Sequence, residues 1–163
     1  MGRRAAVIVS SDSSYQGKRE DKSGPEAARI LELAGYEVTG VRILPDDREM
    51  LAKEMADIAD RAAADLIITS GGTGFSKRDV TPEATMDVTE RAVPGIPEAI
   101  RMNSMKYTPK ACLSRAAAGI RKSTLIINVP GSPKAVRESL EFILPVLGHG
   151  LDILSGDAGN CAD

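Results

Sequence analysis

The run Leu66-Ile67-Ile68, followed at once by Ser70-Gly71-Gly72-Thr73-Gly74, constrains the fold more than any other part of the chain. Consecutive aliphatic residues bounded by a glycine loop read as a short strand buried on both faces. The loop is too rich in glycine to continue as strand or helix. Beyond the charged cluster Lys77-Arg78-Asp79, Thr81-Pro82-Glu83 carries the signature of a helix start. Thr81 is expected as N-cap, Pro82 at the first helical position and Glu83 in the first turn. One segment therefore supplies strand, tight turn and helix, the repeating unit of an open α/β sheet.

The same unit recurs along the chain. Ala5-Ala6-Val7-Ile8-Val9 reads as a first buried strand, ending in a polar loop from Ser11-Asp12-Ser13 through Gly17 and Asp21. A helix with Ala27, Ile30, Leu31 and Ala34 on one face follows, and Gly35 stops it. Tyr36 to Leu44 reads as a second strand with imperfect alternation. Pro45-Asp46-Asp47 ends it and can cap a helix carrying Leu51, Met55, Ile58, Ala59 and Ala62. After Pro82 a helix is expected to about Arg91, broken by Pro94-Gly95-Ile96-Pro97, with another from Glu98 to about Lys106. Pro109 to Arg115 reads as loop, and Ala116 to Ile120 and Thr124 to Val129 as two strands. A last helix buries Val136, Leu140, Ile143, Leu144 and Leu147, with Pro145 expected to kink it or end it early. This order predicts one α/β domain over residues 1–163: a three-layer sandwich with a mostly parallel, doubly wound sheet and helices on both faces. The small, polar tail 156–163 is expected to fray.

Charge and composition exclude several functions. A net charge of −2 supplies no basic field for nucleic acid or acidic membrane. With 3% aromatic residues there is no stacking platform for single-stranded nucleic acid. Cys112, Cys161 and His149 have no metal-site spacing, and so few cysteines point to a reducing, cytoplasmic setting. The apolar run Ala5 to Ser10 is shorter than a signal-peptide core, and nothing approaches the ~20 apolar residues of a membrane span.

Four loops follow the carboxyl ends of expected strands, and in a parallel sheet those ends share one edge, where ligands bind. In Ser70 to Gly74, glycines let backbone amides approach an anion, although the same residues also serve a tight turn. Asp46 and Asp79 are candidate magnesium ligands, since Mg²⁺ takes one or two carboxylates plus phosphates and water. The structural alternatives are an N-cap for Asp46 and an ion pair with Arg78 or Lys77 for Asp79. Pro130-Gly131-Ser132 can seat a phosphate at a helix N-terminus or simply start the helix. Ser114-Arg115 can clamp an anionic ligand, or Arg115 can be a solvated loop residue. His149 reads as structural or exposed, Glu98 as a first-turn carboxylate favoured by the helix dipole, and no nucleophile elbow or Cys-His pair points to covalent catalysis.

These residues, in this order, resemble the molybdopterin adenylyltransferase family of molybdenum cofactor biosynthesis, the MogA/MoaB type. The resemblance runs from about Ala6 to Leu154. It rests on Ser11-Asp12-Ser13, Asp21 with Ser23-Gly24, Pro45-Asp46, the glycine loop, Arg78-Asp79-Val80-Thr81-Pro82-Glu83, Pro94-Gly95 with Glu98, Leu113-Ser114-Arg115, Gly119-Ile120-Arg121 and Asn128-Val129-Pro130-Gly131-Ser132. Val129, where leucine is commoner, and Gly150, where an apolar residue is usual, are mild departures. The resemblance implies transfer of AMP from ATP to the terminal phosphate of molybdopterin, with Mg²⁺ and release of pyrophosphate. It implies Asp46 and Asp79 as the catalytic, metal-holding pair. Ser11, Asp12, Gly71, Gly72, Thr73 and Gly74 would bind nucleotide or phosphate. Ser114, Arg115, Pro130, Gly131 and Ser132 would bind the pterin or its phosphate. It also implies a homo-oligomer, a trimer or a hexamer, and a separate molybdenum insertase partner. A non-catalytic molybdopterin-binding or scaffold protein is the alternative.

Overall fold

The computed structural model describes residues 2–156; the expected frayed tail therefore lies, apart from Gly156, outside the described residues, as does Cys161. A single six-stranded sheet runs in the order β2-β1-β3-β6-β5-β4. Its strands are β1 Arg4–Ser10, β2 Glu37–Leu44, β3 Leu66–Ser70, β4 Arg91–Ala92, β5 Ala118–Arg121 and β6 Thr124–Val129. β2, β1, β3 and β6 are parallel to one another. β5 and β4 extend the sheet antiparallel, so it is mixed and mostly parallel. The helices are α1 Asp12–Tyr15, α2 Ser23–Leu33, α3 Arg48–Asp60, α4 Thr81–Val88, α5 Gly95–Ser104 and α6 Pro133–Ser155, with a 3₁₀ turn at Pro109–Leu113.

The period-two geometry of a strand sends alternate residues to opposite faces. Ala5, Val7 and Val9 of β1, with Leu66 and Ile68 of β3, pack in one core with α2, α5 and α6. Ala6 and Ile8, with Ile67 of β3 and Ile126 of β6, pack on the other face against Leu51 and Met55 of α3 and Ala84 of α4. That is the predicted three-layer sandwich. It explains why β1, β3 and β6 read as unbroken apolar runs while β2, at the sheet edge and largely exposed, does not.

The registers bring the strand ends into line. Ser10 pairs with Leu44, Val9 with Ser70, and Ser70 with Val129. The loops that begin at Ser11, Pro45, Gly71 and Pro130 therefore leave one edge of the sheet. β1 lies between β2 and β3, so the chain winds in opposite directions from it, and the crevice of a doubly wound fold opens there.

Below this edge, Asn128 forms a wholly buried polar link. Its amide donates to Thr69 Oγ1 and Thr85 Oγ1, each at 2.8 Å, and its carbonyl oxygen accepts from Ala117 N at 3.0 Å. The network joins β6, β3, α4 and the segment leading into β5. Asn128→Leu leaves two buried hydroxyls and one amide without this partner and is expected to destabilise the fold by about 2–3 kcal/mol. Urea denaturation measures this; a loss below about 0.5 kcal/mol would show that the network contributes nothing net.

Local boundaries depart from the sequence reading for identifiable reasons. The polar loop after β1 contains α1, which Ser11 caps by accepting from Ser14 N. Thr81 is not the N-cap of α4. It is the first helical residue, because its N–H is drawn onto Gly72 O at 3.1 Å, and its hydroxyl is buried with no partner. α4 ends at Val88 rather than near Arg91, because Glu90 N bonds to Ile120 O and Arg91 pairs with Ile120, which starts β4. α5 begins at Gly95, with Pro97 in its first turn, where a missing N–H costs little. β5 begins at Ala118 rather than Ala116. Pro145 does not end α6, which continues to Ser155; the proline is exposed, so the carbonyl it leaves unpaired can face water.

Candidate active site

An open cleft of about 700 Å³ lies at the convergence of the strand-end loops. Its walls include Ser11 and Ser14 from the β1 loop, Arg19 from the segment before α2, Gly71, and Gly131 with Ser132 at the start of α6. Of the residues singled out from sequence, Ser11, Asp21, Ser23, Ser70, Gly71, Gly131 and Ser132 line it, Asp12, Asp46 and Asp79 do not, and among the described residues no cysteine or histidine does. Ser132 caps α6 by accepting from Ala135 N, so the amides of that helix start face the cleft end of the fold. Pro130 is not part of the lining; its carbonyl accepts from Ser70 Oγ at 3.2 Å and ties the β3 and β6 loops together.

The glycine loop needs its glycines for two different reasons. Gly71 has φ 95°, and a Cβ there would lie 2.5 Å from Ser10 O. Gly72 has φ 65°, and its Cβ would lie 2.3 Å from Thr81 Oγ1 and 3.1 Å from Ser10 Oγ. Both conformations disfavour a side chain, and both positions are in contact with neighbouring strand or helix ends. Gly131 approaches the same loop, since its Cβ would stand 3.2 Å from Gly71 Cα.

Asp46 and Asp12 hold each other. Asp12 N donates to Asp46 Oδ2 and Asp46 N donates to Asp12 Oδ1, both at 3.0 Å. Ser10 Oγ donates to Asp46 Oδ1 at 2.6 Å. Asp46 is thus neither loose nor a helix cap; the cap of α3 is Asp47, which accepts from Met50 N at 2.8 Å. Across the crevice, Arg78 donates to both oxygens of Asp12 at 2.9 Å. The Arg78 guanidinium, with the Asp46 amide, holds the Asp12 carboxyl below the usual carboxylate range. Arg78 also feels the charge of Asp46 and Asp47. Asp79 follows directly and forms no ion pair with Arg78 or Lys77. Its Oδ2 accepts from Ser76 N at 2.9 Å and closes a tight turn. Asp46 therefore meets the Arg78–Asp12 bridge through Asp12, whereas the Asp79 carboxylate is turned to Ser76 within its own loop, and neither carboxylate is among the residues that line the cleft.

Arg115 does not point an unoccupied fork at the cleft. It donates through Nε to Gly74 O and through Nη2 to Asp79 O, each at 2.7 Å, and through Nη1 to Glu83 Oε1. Its own N–H donates to Thr73 O at 2.9 Å. Ser114 is held similarly, its Oγ accepting from Ala116 N and its carbonyl from Arg101. Residues 72–74, 79, 114 and 115 thus form a tied body beside the cleft rather than its lining.

Sequence reasoning missed Ser10, Ser14, Arg19 and Lys22 as cleft residues. A serine ending an apolar strand was the available signal for Ser10. For Arg19 and Lys22 no periodicity exists in a loop to say which side chains face inward. Among the described residues no group of three or more His, Cys, Asp or Glu side chains forms a preformed metal cage.

The model of the family described as "Probable molybdopterin binding domain" matches residues 6–149. A molybdopterin adenylyltransferase of Helicobacter pylori (strain J99) is 40% identical over 153 residues, covering 93% of this chain and 87% of the relative. The molybdopterin adenylyltransferase of Escherichia coli (strain K12) is 36% identical, covering 90% of this chain and 76% of the relative. The crystal structure of the molybdopterin biosynthesis enzyme MoaB from Thermus thermophilus superposes with a TM-score of 0.89 at 44% identity, over 94% of this chain and 97% of that one.

Proposed function

The chain belongs to the molybdopterin-binding domain family, and from that premise we propose that it is a molybdopterin adenylyltransferase: it transfers AMP from ATP to the terminal phosphate of molybdopterin and releases pyrophosphate. The observation that carries the reading is that the loops bearing the glycines, the α6 start and the Asp12–Asp46 pair all leave one sheet edge, where Gly71, Gly131 and Ser132 line a cleft. The adenylyltransferases of H. pylori and E. coli, similar over nine-tenths of the chain, support it.

In this reaction a phosphate oxygen of molybdopterin attacks the α-phosphorus of ATP, and the bond to the bridging oxygen of pyrophosphate breaks. The nucleophile belongs to the substrate, so the protein's work is positioning and charge neutralisation. The cleft is lined by serines, glycines and charges of both signs (Arg19 and Lys22, Glu20 and Asp21), and among the described residues no histidine stands in the lining to activate one of its serines. The amides of Ser132 and Lys134 at the α6 start would receive phosphate oxygens beside Gly71, whose own amide is given to Val129 O. Ser11 and Asp12 would seat the nucleotide, and Ser132 with the Ser114 region would border the pterin. Asp46 and Asp79 would hold Mg²⁺, which when bound neutralises charge on the phosphates. Ser10 and the Asp12 amide keep Asp46 oriented for that task.

The same reading makes the protein a cytoplasmic homo-oligomer, a trimer or a hexamer, that passes its product to a separate insertase. The exposed apolar residues Phe142, Val146 and Ile153 along α6 support a subunit contact. No helix among the described residues is long and apolar enough to cross a membrane. Incubating the protein with ATP, Mg²⁺ and molybdopterin is expected to yield equal amounts of pyrophosphate and adenylylated molybdopterin. Binding of molybdopterin without product would instead identify a binding or scaffold protein.

A further inference from the structure

The loop that carries Arg78 and Asp79 is exposed from Phe75 to Arg78, yet both its feet are fixed by a single side chain. Arg115 holds Gly74 O at one foot and Asp79 O at the other, both at 2.7 Å. Glu83, in the first turn of α4, takes the third nitrogen. The Arg115 backbone adds a bond to Thr73 O. Within the loop, Asp79 N donates to Ser76 O at 3.0 Å and Ser76 N donates to Asp79 Oδ2 at 2.9 Å. Asp79 is therefore located by bonds at its amide, its carboxylate and its carbonyl, and the last of these comes from Arg115.

We propose that Arg115 and Glu83 form a positioning clasp: Glu83 orients the Arg115 guanidinium, and Arg115 fixes the carbonyls of Gly74 and Asp79 so that the Asp79 carboxylate is held in place for adenylyl transfer. This rests on the adenylyltransferase reading and gives Arg115 a different task from the phosphate contact implied by resemblance. A guanidinium whose three nitrogens bond to two loop carbonyls and a carboxylate is already committed before substrate arrives. Planarity is what lets one side chain span these acceptors; the single ammonium of lysine, on a flexible stem, cannot reproduce the span.

The two roles predict opposite results for Glu83→Ala. If Arg115 contacted substrate phosphate, removing its carboxylate partner would free a positive charge and lower KM for molybdopterin. The clasp predicts instead that kcat falls about tenfold or more while KM for both substrates stays within about threefold, because misplacing a reacting group by an ångström costs rate rather than affinity. Arg115→Lys is expected to behave like Glu83→Ala. Glu83→Gln, which keeps an oxygen acceptor, is expected to restore most of the turnover. Hydrogen exchange on the protein alone supplies a second readout: the Ser76 and Asp79 amides exchange faster in Glu83→Ala and Arg115→Lys, and at the wild-type rate in Glu83→Gln. Wild-type kcat in Arg115→Lys, a tighter molybdopterin KM in Glu83→Ala, or unchanged exchange at Ser76 and Asp79 overturns the clasp. If the wild-type protein makes no adenylylated product, the enzymatic reading fails, and the exchange data still decide whether the clasp holds the loop.

Discussion

Asp79→Asn is expected to lower the rate of adenylyl transfer at least about a hundredfold while leaving the protein folded, the order of loss seen when one charge-stabilising group is removed from a preorganised site. The substitution is chosen because of what Asp79 does in the loop. Among the described residues its carboxylate accepts one hydrogen bond, from Ser76 N, and an asparagine oxygen can accept that bond unchanged. The charge disappears and the turn stays, so a loss of turnover reports on the metal and phosphate rather than on the fold. Asp46→Asn is a less clean partner. Both Asp46 oxygens accept hydrogen bonds, from Ser10 Oγ and from Asp12 N. An asparagine keeps its oxygen on Asp12 N only by turning its NH2 to Ser10 Oγ, which must then accept instead of donate, and both bonds lose their charge assistance. That variant is therefore expected to lose activity to the same extent and to lose about 1 kcal/mol of stability as well. The measurement is single-turnover formation of adenylylated molybdopterin across a Mg²⁺ titration, with thermal unfolding alongside. Turnover of Asp79→Asn within about tenfold of wild type would remove Asp79 from the metal-holding pair.

The layers of the fold were legible because burial writes itself into sequence. β1, β3 and β6 have both faces covered, so every residue from Ala5 to Val9 or Leu66 to Ile68 had to be apolar, and the pattern admitted one reading. The glycine loop was legible for a similar reason, since Gly71 and Gly72 occupy left-handed conformations that disfavour a side chain. What escaped was decided by partners distant in sequence. Nothing local at Glu90 says that it will bond to Ile120 and end a helix early. Choosing between Asp46 and Asp47 as helix cap required knowing that Asp12 and Ser10 compete for Asp46. The tasks of Asp79 and Arg115 changed on folding for the same reason. Arg78, adjacent to Asp79 in sequence, pairs with Asp12 across the crevice, and Arg115 turns to the loop carbonyls. The motif loops leave one sheet edge, as the strand order implied, but which side chain bonds to which was set by tertiary contacts.

Gly72→Ala and Gly71→Ala are expected to be the most destabilising single-methyl changes in the site, for reasons that can be separated. A left-handed backbone costs an alanine about 1–2 kcal/mol, and forcing a methyl into packed surroundings typically costs a further ~1–3 kcal/mol. At Gly71 the obstacle is Ser10 O at 2.5 Å, a backbone atom at the end of β1 that cannot move without disturbing the sheet. At Gly72 the nearest obstacle is Thr81 Oγ1 at 2.3 Å, a buried hydroxyl with no hydrogen-bond partner among the described residues. Thr81→Ala removes that hydroxyl without breaking a hydrogen bond, so by itself it should cost little more than its lost methyl. In the double variant it should return the clash portion of the Gly72→Ala loss, roughly 1–3 kcal/mol, and leave the backbone portion. The same Thr81→Ala change should return nothing to Gly71→Ala. Gly150→Ala, within α6 and with open space around its added Cβ, is expected to be neutral or to stabilise by up to about 1 kcal/mol. Denaturant midpoints for these single and double variants test the set. Equal losses in Gly72→Ala with and without Thr81→Ala would mean that the loop relaxes away from the hydroxyl, and that Gly72 is needed for its conformation alone.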